Sequence, residues 1–407
     1  MGKYNYSRKG LKGLTPFPFL GEVKTRLKEI DAAPATIPQS VFNANVLAAK
    51  LHPSVQHVIV AEVTDHGDAK SFKLVPDAEL GTKEMAYFRA SQYVSVALNI
   101  NGSLVNKPYT IRSSPKDALG SENTSYTLTI KRTDPAYASA HILATWKEGD
   151  KVDISGPLGD FYYQSLRDAK NIIAIAGGSG ITPFYSMASA IADGIEDFNM
   201  TILYGSRTSD GILLKDEIEA VAARSDGKVK VVHVLSHEEK EGFEHGFIGA
   251  EMIKKYAPAE DYSVFMCGPK AMYDFEEGEM QKLGLPKRRW RMEMSGDYLG
   301  AAKNEDFPKE KCGGEYKLTV VIRGEKQTIP CKAEESLLWA MERAAIKAPS
   351  HCRSGECGWC HSRLISGDVY IPEDADGRRL ADKKFGWVHP CCTFPLGDIE
   401  LEIFPIT

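Results

Sequence analysis

No apolar run in this chain approaches the roughly 20 residues that a membrane-spanning helix needs, so no integral membrane segment is expected. No secretory-type apolar stretch stands near the N-terminus either, and the expected address is cytoplasmic. Cysteine is too sparse for a disulfide-stapled scaffold: there are eight in 407 residues, four of them grouped at metal-binding spacing. Basic charge is not in excess. A formal net charge of −5 gives no footing for a nucleic-acid partner. What remains, 43% hydrophobic and 26% charged, is the composition of a globular protein. Its length exceeds one ordinary core, so two or three domains are expected.

One motif stands out against that background. Cys352-Arg353-Ser354-Gly355-Glu356-Cys357-Gly358-Trp359-Cys360 sets three cysteines at C-x4-C-x2-C spacing, and Cys391-Cys392 follows. This is the plant-type [2Fe–2S] spacing, in which one loop wraps the cluster and a distant strand supplies the last thiolate. Thiolates are soft anionic donors for iron, and backbone N–H groups aimed at sulfur tune the potential. Gly355 and Gly358, interleaved with the ligands, permit that close backbone approach. Zinc also accepts four cysteines, but its ribbons usually present two separated C-x2-C pairs. Successive strand residues face opposite ways, so only one of Cys391 and Cys392 can reach the cluster. Such a centre takes up one electron at a time. The rest of the chain is then whatever feeds it or draws from it.

The first 45 residues stand apart. Lys3, Arg8, Lys9, Lys12, Lys24, Arg26 and Lys28 make them basic, and Pro16, Pro18, Pro34 and Pro38 interrupt them. This extension could bind a membrane surface or a partner; a strap packed on the following domain is the expected use. Residues 46–165 alternate apolar and polar in short runs (56–63, 71–75, 93–100, 126–131, 151–155) punctuated by Gly, Asn and Asp. That is the pattern of an antiparallel β-barrel. Over 166–295 the character changes. A buried strand at 171–176 leads through a glycine turn to a helix-like run at 184–191. Strands near 200–204, 228–235 and 263–266 then alternate with helices near 215–223, 250–256 and 270–283, which predicts an α/β doubly wound parallel sheet. Residues 296–314 are polar and glycine-rich, as a linker is. Residues 315–407 form a small α+β unit that carries the cysteines.

Lys107-Pro108-Tyr109-Thr110-Ile111 ends one barrel strand. It resembles the Arg-x-Tyr-Ser/Thr motif of the ferredoxin–NAD(P)H reductase superfamily. The resemblance implies that Tyr109 packs on a flavin ring, that Thr110 hydrogen-bonds flavin N5, and that Lys107 neutralises a flavin phosphate. Lys107 departs from the family's arginine, because an ammonium cannot grip phosphate bidentately. A second family element, Gly-x-x-Ser, is met here by Ala136-Tyr137-Ala138-Ser139, with Ser139 expected to cap a helix and bond a phosphate oxygen. FAD and FMN both remain open.

Gly177-Gly178-Ser179-Gly180-Ile181-Thr182-Pro183 follows the buried strand and opens a helix. Glycines let backbone approach a pyrophosphate, and the helix N-terminus supplies unpaired N–H groups and partial positive charge. Pro183 suits the first turn. The run resembles the Gly-Gly-x-Gly-Ile-Thr-Pro of the same superfamily, which implies that Thr182 lies beside the nicotinamide. Tyr204-Gly205-Ser206-Arg207 ends the next strand, and Cys267-Gly268-Pro269 ends the last. By the same resemblance Cys267 borders the place of hydride transfer, and Glu293 sits near the flavin. At the adenine end the chain reads Leu235-Ser236-His237-Glu238-Glu239-Lys240. Two carboxylates there would repel a 2′-phosphate, so NADH is expected over NADPH.

The ligand strand Val388-His389-Pro390-Cys391-Cys392-Thr393-Phe394-Pro395 is similar to that of ferredoxins fused to reductases, where the ligand lies four residues before a proline. That implies Cys352, Cys357, Cys360 and Cys391 as the cluster ligands. The order flavin, nicotinamide, ferredoxin implies a reductase with a C-terminal [2Fe–2S] domain, whose ferredoxin part has the β-grasp fold. It would pass electrons from NADH through the flavin and the cluster to a protein acceptor of unknown identity. The alternative is a redox-sensing or interaction module that retains the fold.

Overall fold

The structure, a computed structural model, describes residues 20–32, 42–120, 122–133, 137–293 and 296–404. Lys3, Arg8, Lys9, Lys12, the four early prolines and Ala136 lie outside them. The chain divides into two units, Met1–Ala48 and Ala49–Thr407. In the first, helix Leu20–Ala32 sets Val23, Leu27 and Ile30 along one face.

The described part of the second unit is built on three sheets of five or six strands, with a two-stranded pair, Val369–Tyr370 and Phe394–Pro395, beside them. The first is antiparallel, in spatial order Ser103–Thr110, Tyr93–Ile100, Lys151–Ile154, Gln56–Asp65, Ala69–Pro76 and Tyr126–Lys131. Alternation sends Val58, Val60, Phe72, Leu74, Val94 and Val96 inward, and the two edge strands meet through a bridge between Ile111 and Leu128. The sheet is therefore curled and barrel-like. Helix Ala138–Thr145 adds Ala138 and Ile142 to its core.

The second sheet is parallel, in the order Glu244–His245, Val229–Leu235, Asn199–Ser206, Asn171–Gly177, Tyr262–Cys267 and Trp290–Met292. Strand Asn171–Gly177 is apolar and buried from Ile172 to Ala176 because both its faces are covered. Ile172, Ala174 and Ala176 enter one core, and Ile173 and Ile175 enter the opposite one. The strand order reverses between Asn171–Gly177 and Tyr262–Cys267. A crevice at the carboxyl ends of strands at such a switch point is where nucleotides bind.

The third sheet runs Glu325–Lys332, Glu315–Ile322, Ile399–Ile403, Ser362–Ser366 and Trp387–Val388, with helix Leu337–Arg343 packed on it. Residues 296–314, expected as a free linker, contribute Tyr298, Ala301 and Phe307 to this core. Asn304 adds hydrogen bonds of 2.9 Å to the hydroxyls of Tyr298 and Tyr370. The average polarity of the stretch hides three spaced apolar anchors.

Candidate functional site

The cysteine loop is shaped by its glycines. Gly355 sits at φ +86°, and a Cβ there would fall 2.1 Å from Ala375 O, so the position is closed to other residues. Backbone N–H groups then reach sulfur. Cys357 N donates to Cys352 Sγ, and Trp359 N to Cys357 Sγ, each at 3.4 Å. Cys391 Sγ lies 3.5 Å from Cys360 Sγ. Cys392 turns away and donates its thiol to Ala375 O at 3.3 Å. The Cys352 thiol pKa is drawn down, chiefly by its hydrogen bond with the Cys357 thiol. The four sulfurs thus form two couples, 352 with 357 and 360 with 391, as a dinuclear cluster needs with two thiolates on each iron. The donor set fits a [2Fe–2S] cluster.

At the switch point, the turn Gly178–Gly180 joins strand Asn171–Gly177 to helix Ile181–Ala192. Cys267 pairs with Ala176 in the adjacent strand. A Cβ on Gly180 would lie 2.1 Å from Cys267 O, and one on Gly177 would lie 2.9 Å from Pro269 Cδ, so the two motifs pack glycine against strand end. The turn runs on into the helix, Ile181 N donating to Gly178 O and Ser179 O, so the N–H groups offered to a phosphate are those of the uncapped turn itself. Thr182 donates its hydroxyl to Ser179 O at 3.0 Å. Farther along, Ser206 Oγ is buried without a hydrogen-bond partner among the described residues, and Arg207 O accepts from His237 N at 3.0 Å. Ser236 Oγ lies 2.8 Å from His237 Nδ1. The Glu238 carboxylate accepts from Ser209 N at 2.7 Å. A switch point with uncapped turn N–H groups and an orphaned hydroxyl fits a dinucleotide.

Pro108, Tyr109 and Thr110 lie opposite Ser95, Val94 and Tyr93 of the neighbouring strand. Tyr93, which the sequence reading passed over, is buried beside Gly159. A Cβ on that glycine would meet the Tyr93 ring at 2.9 Å and Glu293 Oε1 at 3.8 Å. Burial pushes the Tyr93 hydroxyl pKa up, and Cys357, Cys352 and Glu293 push it further. Tyr93 of the curled sheet and Glu293, which follows the last strand of the parallel sheet, therefore both flank Gly159. Glu293 is buried, and its carboxyl is pushed up to about 8 by burial, then by Glu356 and Asp160, against the pull of Arg291. Burial, followed by Glu293, raises the Cys267 thiol as well, keeping it neutral. Tyr273, also missed, accepts from Gly268 N at 3.0 Å and donates to Glu293 O at 2.5 Å, tying the Cys267-Gly268-Pro269 turn to Glu293.

Two expected flavin contacts are placed otherwise. Ser139 does not cap helix Ala138–Thr145; the cap position is Tyr137, whose side chain makes no capping bond. Ser139 lies in the first turn, and its hydroxyl accepts from Thr133 N at 3.1 Å. Among the described residues no side chain caps this helix, which fits a flavin phosphate at its first turn. Lys107 ion-pairs with Asp297.

Family models match three consecutive segments: an oxidoreductase FAD-binding domain over residues 67–163, an oxidoreductase NAD-binding domain over 174–277, and a 2Fe-2S iron-sulfur cluster binding domain over 320–396. The ferredoxin reductase component of 3-ketosteroid-9-alpha-monooxygenase from Mycobacterium tuberculosis is 30% identical over 366 residues, spanning 85% of this chain and 96% of that one. This chain belongs to the ferredoxin–NAD(P)H reductase superfamily. Within it, the reductase joins FAD-binding, NAD-binding and C-terminal [2Fe–2S] domains in one polypeptide. The glycine betaine monooxygenase reductase subunit of Pseudomonas aeruginosa is 25% identical over 355 residues, spanning 84% of the reductase and 93% of that subunit. The fold of the reductase matches that of phthalate dioxygenase reductase with a TM-score of 0.61 at 24% identity, covering 86% of this chain and 98% of that one. Among the described residues, no helix of the reductase is long and apolar enough to cross a membrane.

Proposed function

We propose that this reductase takes electrons from NADH and hands them singly to the terminal component of a cytoplasmic oxygenase or demethylase system. The observation that carries the reading is the hydrogen bond from Arg353, next to Cys352 in the cysteine loop, to Asn106 O on the strand that carries Tyr109 and Thr110, at 3.1 Å. When bound, a flavin converts two-electron into one-electron transfer and a [2Fe–2S] cluster stores single electrons. The chain's own residues do the rest. Tyr109 and Thr110 border the flavin ring, and the open end of helix Ala138–Thr145 takes its phosphate. Gly177, Gly178 and Gly180 admit the dinucleotide backbone, with Thr182, Cys267, Gly268 and Pro269 beside the nicotinamide and Ser206, Arg207 and Ser236 towards the adenosine. Glu293 stays neutral below about pH 8 and so adds no negative charge where hydride must pass. Cys352, Cys357, Cys360 and Cys391 hold the iron.

Glu238 and Glu239 support NADH, since a 2′-phosphate would face their charge. The partner follows from the relatives, named as reductase parts of monooxygenases and, for one from Rhizobium meliloti at 28% identity, of stachydrine N-demethylase. We take 46–165, 166–295 and 315–407 as working domain bounds, with 296–314 joined to the last. Anaerobic titration of the purified reductase with each nucleotide tests the reading. Flavin and cluster absorbance should both bleach with NADH at far lower concentration than with NADPH. Bleaching of the flavin alone would contradict it.

A further inference from the structure

A buried network of four charges crosses the seam between the curled sheet and the cysteine-bearing domain. Lys107, on strand Ser103–Thr110, ion-pairs with Asp297 through Oδ2. Asp297 Oδ1 takes Arg353 Nε at 2.5 Å, and Arg353 is the residue that follows ligand Cys352. The same guanidinium forks onto Glu342 of helix Leu337–Arg343, with Nη2 donating to Oε2 at 2.9 Å. Its Nη1 also donates to Asn106 O, the residue before Lys107, at 3.1 Å. The Lys107, Asp297, Arg353 and Glu342 side chains are only 13%, 13%, 0% and 5% exposed. Two cations and two anions make the set neutral, and each charge is tolerated only because the others are present.

Further details mark Arg353 and Asp297 as placed for this seam. Arg353 holds φ +64°, a left-handed conformation unfavourable for arginine, which the surrounding contacts must enforce. Gly296 N donates to Cys352 O at 2.9 Å, fixing the segment before Asp297 to the cysteine loop by backbone as well. Trp339, on the Glu342 helix, lies 5.8 Å from Lys107 Nζ and 5.7 Å from the Tyr137 ring, closing the seam over the network. Despite burial, Arg353 and Lys107 hold the Asp297 carboxyl at about 2, so it is ionised at all working pH.

We infer that Asp297 is a positioning residue, the hub of a latch that clamps Lys107 of the flavin-side strand to Arg353 of the cluster loop and so seats the cluster for electron transfer from the flavin. The inference rests on the function proposed above. Its physical logic lies in what removal of the hub does. Lys107 would then lose its carboxylate and face an Arg353 held by Glu342 alone, leaving a net positive charge in the seam, and opening the seam rehydrates it without unfolding either domain. Lys107 thereby serves the seam, in keeping with its ion pair to Asp297.

The test uses the full-length holoprotein with Asp297→Asn. Flavin and iron content, and NADH-driven reduction of ferricyanide from the flavin, should match the parent. Stopped-flow electron transfer from flavin to cluster should slow by about tenfold or more, as displaced reacting partners do. Hydrogen-exchange protection should fall together in Ser103–Thr110 and in residues 352–357, on both sides of the seam. Asp297→Glu, which keeps the charge, should recover most of the rate. If Asp297→Asn does not accumulate folded, Glu342→Gln decides, since it loosens the same guanidinium from the ferredoxin side; slowed transfer with retained iron is expected. Parent-like transfer and parent-like protection in the variant that folds would overturn the latch. A parent protein lacking flavin or cluster would instead defeat the underlying functional reading, and iron and flavin assays tell the two failures apart.

Discussion

Cys391 and Cys392 are neighbours in sequence, and their sulfurs make different hydrogen bonds. Cys391 Sγ stands 3.5 Å from Cys360 Sγ, while Cys392 donates to Ala375 O at 3.3 Å. Cys391→Ser should therefore abolish the cluster, and Cys392→Ser should retain it, because serine can make the same donation to a carbonyl. Visible absorbance and iron analysis of the two variants check this. The reverse outcome would overturn the ligand assignment.

Glu293 supplies a pH signature. Its carboxyl is pushed up to about 8, first by burial and then by Glu356 and Asp160. Below that pH it is neutral; above it, a negative charge develops beside Cys267 and opposes hydride delivery. The rate of flavin reduction by NADH should fall above about pH 8, and Glu293→Gln should flatten that limb. A limb that persists in the variant would assign it to another group.

Glu276 lies on helix Lys270–Leu283 with both carboxylate oxygens buried and without hydrogen-bond partners among the described residues. Burial, then Glu279, pushes its carboxyl up to about 8. Its folded pKa exceeds its unfolded one, so its penalty on stability is absent at pH 4 and grows as pH rises toward 8. Glu276→Gln should stabilise the protein by about 1–3 kcal/mol at pH 8 and by little at pH 4. Thermal unfolding at the two pH values measures the difference; equal effects at both would contradict the account.

Gly180 has no room for a side chain, since its Cβ would fall 2.1 Å from the Cys267 carbonyl. Gly180→Ala must push apart the two strand ends that frame the nicotinamide crevice. A loss of about 1–3 kcal/mol in stability is expected, with weakened NADH binding beyond it. Calorimetric titration with NADH checks the second part, and unchanged affinity would remove Gly180 from the crevice.

Much of this was legible in the sequence because period and spacing are local. The strands at 93–100 and 126–131 and the helices at 215–223, 250–256 and 270–283 emerge where alternation and turn residues place them. The glycine turn and the cysteine spacing likewise announce backbone geometry that few other residues allow. What stayed hidden depends on contacts between distant segments. Tyr93 is an unremarked strand residue until Gly159 and Glu293 fold beside it. Lys107 reads as a phosphate ligand until Asp297 takes its charge. Residues 296–314 read as a tether because polarity was averaged over them, while Tyr298, Ala301 and Phe307 are the parts that pack.

The most direct measurement is a stoichiometry. Anaerobically purified protein should carry flavin, together with iron and acid-labile sulfide in [2Fe–2S] proportion, and NADH should reduce both centres in sequence. Colourless protein holding zinc, with no flavin recovered after reconstitution, would contradict the account.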